Sequence, residues 1–288
     1  MLAIVGGIFI LILKLMAYLV SDSVALLSDA MESIINIVAS VMMLTALIIS
    51  ARKEDENHKY GHRKAENISA LVEGVLIIIA ALLIVEATVG RLFNPVGFND
   101  IDLGLIISLC ATSLNGVLAV VMWRESKRSR SMALEGDAKH LFSDVISSIR
   151  VVIGLFVANV TGLFILDPLI ALIVAVLLIR MGIDVLRRTS KDLMDSNCAE
   201  EEKTIIAVLE KTQGYLEYHG LKTRRSGDKV FMEVHLCVDG EVSVKDAHEL
   251  TEKIEKALEP AVPGIISTIH IEDQSQCQSN KAQSNGSQ

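Results

Sequence analysis

Apolar residues run through the first two thirds of the chain in stretches that approach or exceed the roughly 20 residues needed to cross about 30 Å of hydrocarbon as a helix. Residues 3–20, 37–50, 68–90, 103–123, 145–166 and 169–186 are the clearest. Two of these runs carry polar N-terminal extensions, at 21–36 and 133–144, which a purely lipid-facing anchor does not need. The first run is not read as a cleaved leader, because it lacks a basic start, contains Lys14 and is followed at once by another span. After Arg188 the pattern changes. Charges become interspersed and no further run is long enough to span, so a separate domain is expected from about residue 193. Ile205, Ile206, Val208 and Leu209 among charges predict an amphipathic helix over 200–212. A first strand is placed near 215–224, with Gly227-Asp228 as a hairpin turn, and the alternation from Lys229 to Val238 predicts a second. Ser243 can cap a helix to about Glu259, and 264–272 reads as a last strand. The tail, 274–288, is rich in Gln, Ser and Asn and is expected to be disordered.

Composition agrees with the pattern: 51% of the 288 residues are hydrophobic. The net charge of −8 is informative only by region. Arg52, Lys53, Lys59, Arg63 and Lys64 follow the second span, Arg124, Lys127, Arg128 and Arg130 the fourth, and Arg187, Arg188 and Lys191 the sixth. The opposite loops are acidic or neutral. The positive-inside rule then puts both ends of a six-helix bundle in the cytoplasm, with a cell inner or plasma membrane as the expected location. Cys110, Cys198, Cys237 and Cys277 form no CxxC pair, so the spacing suggests neither a disulfide framework nor a thiolate zinc cluster, and reduced thiols are expected.

The polar extensions hold the candidate chemistry. Residues four apart lie on one helix face, so Glu32 and Asn36 form one edge and His140 and Asp144 another. Ionisable groups at bilayer depth are costly and normally mark an ion or proton path. The alternative is that Asn36 and His140 are interhelical hydrogen-bonding groups, with the carboxylates at the membrane edge. One imidazole, two carboxylates and an amide oxygen suit zinc, iron(II), cobalt(II) or manganese(II) rather than copper(I). Protons compete for these ligands, which is a basis for metal–proton antiport. Lys14, Glu73, Glu86, Asn115, Arg150 and Arg180 also lie in or near spans. Glu73 could pair with Lys14 or Arg150, and Arg180 is expected to snorkel to the interface. Asp22 and Asp29 either line an external mouth or cap helix turns. No GxxxxGK[ST] loop suggests an ATP-driven pump, and no catalytic arrangement suggests an enzyme.

The stretches 23–33 (SVALLSDAMES), 60–66 (YGHRKAE) and 136–144 (GDAKHLFSD) resemble, in order, those of the cation diffusion facilitator family of divalent-metal/proton antiporters. The resemblance covers about residues 3–273. It implies a homodimer in the lipid bilayer, with a six-helix transmembrane domain over 1–192 and a cytoplasmic ferredoxin-like α+β domain over 193–273 that binds metal and dimerises. His140 and Asp144 match the family's His-xxx-Asp pair, whereas Glu32 and Asn36 stand where the family usually has His or Asp and then Asp. Asp55, His58 and His62 resemble a small loop metal site found in some members; the other reading is that Tyr60-Gly61-His62 is a turn placing the third helix. His235, His248, His270 and Glu272 match the family's regulatory metal positions. Metal is implied as both substrate and regulator and protons as counter-ion, with no organic cofactor and no nucleic-acid partner. A membrane-bound metal sensor or assembly partner that binds metal without transport is the competing expectation.

Overall fold

The computed structural model describes residues 2–94, 96–129, 132–275 and 277; the side chains of 2–4, 126, 129 and 132–137 lie outside the description. Among the described residues the order is α1 (Leu2–Ser21), α2 (Val24–Ser50), α3 (Lys64–Phe93), α4 (Ile101–Ser129), α5 (Met132–Thr161), α6 (Leu166–Leu193), α7 (Ala199–Lys211), β1 (Glu217–Ser226), β2 (Lys229–Val238), α8 (Val244–Ala261) and β3 (Ile265–Asp273). The chain forms two compact units. The first contains 1–46 and 69–187, and the second contains 188–288 together with the α2–α3 connection, 47–68.

In the first unit α2 to α6 are each long and apolar enough to cross a bilayer, and α1 is a shorter apolar helix over Val5–Ser21. Its interior is built from small residues. Ala17, Ala25, Ala81, Ala111, Ala119, Ala158, Ala171 and Ala175 are fully buried, while Val5, Leu19, Val117 and Val160 face outward. Lipid tails are as apolar as leucine, so helices associate through close packing at small side chains rather than by hiding large ones. The α3–α6 crossing illustrates this: a Cβ on Gly74 would sit 3.3 Å from the Gly182 carbonyl, and one on Gly182 would sit 3.0 Å from the Gly74 carbonyl.

Polar groups close the helix ends. Helix α5 stops at Thr161 rather than continuing to 166, because Gly162 adopts a left-handed φ of 70° that ends the helix. The chain then presents Asp167, whose carboxylate accepts hydrogen bonds from the Val24 and Ala25 backbone N–H groups (3.0 and 2.9 Å) and from the Ser23 hydroxyl (2.6 Å). A side chain on α6 therefore caps α2, satisfying N–H groups that a helix start leaves unpaired. Asp167→Ala is expected to cost about 1–2 kcal/mol, in line with losing a helix cap. Thermal unfolding in detergent checks this, and an unchanged midpoint would remove the capping role.

The second unit is an α+β layer. Its sheet has the order β1-β2-β3, with β1 and β2 antiparallel and β2 and β3 parallel. Val230, Met232, Val234 and Leu236 alternate along β2 into a core with Ile205 and Leu209 of α7 and Ile254 and Leu258 of α8. Ser243 caps α8 by accepting from the Asp246 N–H at 3.2 Å. The expected hairpin turn at Gly227-Asp228 is present. Gln274, Ser275 and Cys277 of the tail expected to be disordered are helical, started by an Asp273 carboxylate that accepts from the Ser275 N–H at 2.7 Å. Residues 276 and 278–288 of that tail lie outside the described residues.

Candidate metal centre

In the first unit, α2 and α5 carry the expected ligands. The Asn36 amide donates to Asp144 Oδ2 at 3.0 Å, and His140 Nε2 lies 4.0 Å from Asp144 Oδ1. Asp144 is thus shared by both helices. Its side chain is 9% exposed, against 55% for His140. Glu32 lies beside the Ser147 side chain and within electrostatic reach of Asp144, Asp29 and Lys14. In this arrangement Asn36 donates its NH2 to Asp144, so the amide must turn its oxygen inward before it can ligate a cation.

Behind these residues is a network whose partners sequence alone left open. Lys14 donates to Asp29 at 2.9 Å and to the Ser148 hydroxyl at 3.1 Å, and Ser148 donates to the same Asp29 oxygen at 2.7 Å. Lys14 therefore pairs with Asp29 rather than Glu73. Asp29 neither caps a turn nor lines a mouth. It is 2% exposed, and its second oxygen, Oδ2, is buried without a hydrogen-bond partner. Asp22 instead ends α1 with φ 55° and is tied to Arg91 at 2.7 Å. Three carboxylates, Asp29, Glu32 and Asp144, thus stand against one ammonium. A divalent cation, or protons in its place, would neutralise the excess.

In the second unit two of the expected ligand groups draw together. Asp55 Oδ1 is 3.0 Å from His58 Nδ1, Asp55 Oδ2 is 3.3 Å from His62 Nε2, and one donor atom from each residue lies within 4.8 Å of the others. The turn reading holds as well, since the Gly61 N–H bonds the His58 carbonyl at 3.0 Å with Gly61 at φ 77°. The same turn that leads into α3 brings the two imidazoles together. Desolvation is the largest single influence on Asp55 and pushes its pKa up, but hydrogen bonds from the His58 side chain and from the His58 and Asn57 N–H groups, with the charge of His58, together outweigh it and hold the carboxyl below the usual range. What Asp55 adds to the loop's stability is therefore present at neutral pH and lost as the pH falls through that lowered value.

On the sheet, Glu272 Oε1 is 2.7 Å from His235 Nδ1 and 3.7 Å from His270 Nε2. His248 does not join them. It sits on α8, 71% exposed, with Nε2 3.5 Å from Glu252, its i+4 neighbour. His219 takes a place beside the cluster, with Nε2 3.0 Å from Glu272 Oε2. Sequence reading missed it because of register. The hairpin pairs Ser226 with Lys229, and an uninterrupted ladder would set His219 opposite Leu236, on the core face; an irregularity between His219 and Lys222 sets it opposite His235, which in turn pairs with His270. Gly220 makes the bulge, with φ 64°, and a Cβ there would lie 3.2 Å from the His235 ring. Gly220→Ala is expected to destabilise the domain by about 1–3 kcal/mol through left-handed backbone strain and to displace His235. Denaturation together with the His235 ring NMR signals checks both.

Cysteine usage also departs from expectation. Cys237 and Cys277 form a disulfide, while Cys110 and Cys198 are free. Forty residues separate the pair in sequence. The Asp273-capped turn brings Cys277 back over β2, a proximity that no CxxC spacing could reveal.

A polytopic helical unit with ionisable groups on facing helices, joined to a small histidine-rich α+β domain, defines a membrane ion-handling protein. The chain belongs to the cation efflux family, the cation diffusion facilitators: the family's transmembrane domain matches residues 1–194 and its cytoplasmic domain residues 199–274. An uncharacterized transporter of Synechocystis is 38% identical over 262 residues, covering 90% of this chain and 84% of the relative. The cation-efflux pump FieF of Shewanella oneidensis is 30% identical, covering 83% and 81%. The zinc form of the putative zinc transporter CzrB is 41% identical over 27% of this chain and 90% of that structure, with a TM-score of 0.26.

Proposed function

We propose that this protein is a homodimeric secondary transporter that exports a divalent transition-metal ion from the cytoplasm in exchange for protons. On this reading both termini lie in the cytoplasm, as the basic loops suggest, and the membrane is the cell's inner or plasma membrane. The observation that carries the reading is Asp144, held between Asn36 of α2 and His140 of α5 beside Glu32, in surroundings where carboxylates outnumber ammonium groups. Such a site holds either a metal ion or protons, so filling it with one releases the other. Zinc, iron(II), cobalt(II) and manganese(II) fit the donors. Neutral Asn36 in place of a carboxylate weakens charge neutralisation, which makes this pair the place where metal preference is set.

Reconstituted vesicles test the proposal: an imposed proton gradient should drive metal uptake, and metal added without a gradient should move protons. Metal bound without gradient-dependent flux would instead support the sensor reading, which the His235–His270–Glu272 cluster favours. In a strain lacking its own exporters, protection against each metal in turn would rank the substrates.

A further inference from the structure

The face of the sheet opposite the helices carries a second donor set. Cys237, Cys277, His219 and Glu272 each offer one ligand atom within 4.8 Å of the others, and both cysteines and Glu272 are at most 3% exposed. Cys277 Sγ is 3.6 Å from Glu272 Oε2, the oxygen that also meets His219. The other oxygen, Oε1, faces His235 and His270. The two sides of one carboxylate thus serve two clusters of different chemistry: imidazoles alone on one side, two sulfurs and an imidazole on the other.

We infer that the reduced protein binds a zinc-like divalent ion through the Cys237 and Cys277 thiolates, His219 Nε2 and Glu272 Oε2, and that the Cys237–Cys277 disulfide is the closed, metal-free form of that site. Two thiolates, one imidazole and one carboxylate make a four-donor set of the kind that favours tetrahedral zinc. The disulfide removes both thiolate donors at once and leaves the His235–His270–Glu272 cluster its full set. In a domain whose family model is cytoplasmic, a disulfide is expected to be transient and redox-responsive rather than structural. The oxidant is a small-molecule disulfide of the glutathione class. One cysteine thiolate attacks it, releasing one small thiol and forming a mixed disulfide; the second cysteine then displaces the other small thiol, so two electrons and two thiol equivalents balance while the metal ion leaves.

Binding without flux tests this, so the outcome is independent of the transport reading. The full-length protein in detergent, reduced with a phosphine that is then removed, is titrated with cobalt(II). A sulfur-to-cobalt charge-transfer band is expected in the near ultraviolet. It should be lost after oxidation with glutathione disulfide, return on reduction, and be absent in Cys277→Ser, while Cys110→Ser and Cys198→Ser retain it. His219→Gln, which keeps both thiols, should still form the disulfide but lose or shift the band. That variant keeps the test informative if the serine substitution disturbs folding. No sulfur band in the reduced wild type, or a band that survives oxidation or Cys277→Ser, would overturn the site.

Discussion

Asp144→Ala is expected to abolish gradient-driven metal flux in vesicles, to the level of empty liposomes. Asp144 is the carboxylate that both helices reach: it accepts from Asn36 at 3.0 Å and faces His140 at 4.0 Å. Removing it takes away a carboxylate that, on the proposed reading, would neutralise the ion, together with the partner that holds Asn36 in place. A low-polarity site cannot accept a divalent cation without that charge. Asp144→Asn, which keeps the shape and a hydrogen bond to Asn36, should lose flux equally while leaving the thermal midpoint close to wild type, separating lost chemistry from lost folding. Asn36→Asp should keep flux and alter the ranking of metals. Wild-type flux in Asp144→Ala would remove the α2–α5 site from the mechanism.

Lys14→Met should destabilise the helical unit by about 3–5 kcal/mol, because it strands a buried carboxylate. Lys14 and Asp29 are 3% and 2% exposed, and Lys14 bridges Asp29 to Ser148. The double substitution Lys14→Met with Asp29→Asn should recover most of the loss, since a neutral amide tolerates burial far better than an unpaired charge. Unfolding of the single and double variants in detergent gives the coupling directly. A single variant as stable as wild type would show that the Lys14–Asp29 pair does not hold the helical unit together. Lys14 also lies within electrostatic reach of Glu32, so flux in the double variant reports whether the Lys14–Asp29 pair influences the proposed transport site.

Much of this molecule was legible in its sequence because the relevant physics is local or periodic. The apolar runs, with their polar extensions on α2 and α5, located each of the first six helices, but they end short of α4, which runs to Ser129, and of α6, which runs to Leu193, and they overshoot α5, where Gly162 ends the helix before 166. The strand alternation from Lys229 and the Ser243 cap were read correctly, since a period of two and a capping hydroxyl are properties of short segments. The i,i+4 pairs on α2 and α5 were visible for the same reason. What escaped was non-local. His248 matched a family position but faces Glu252 of its own helix, and His219 was overlooked because one bulge changes the face on which every residue beyond it lies.

Sequence by itself determined that the chain spans a membrane, that a small α+β domain follows, and that Glu32, Asn36, His140 and Asp144 are candidates on two helices. Hydrophobic run length and helical periodicity need no knowledge of which segments meet. Tertiary structure alone decided the pairings: Lys14 with Asp29, Asp167 with the start of α2, His219 with Glu272, and Cys237 with Cys277. Each joins residues from separate elements, and buried polar groups take whichever partner packing brings within about 3 Å. The same packing set a pair of scattered cysteines beside a histidine and a shared carboxylate.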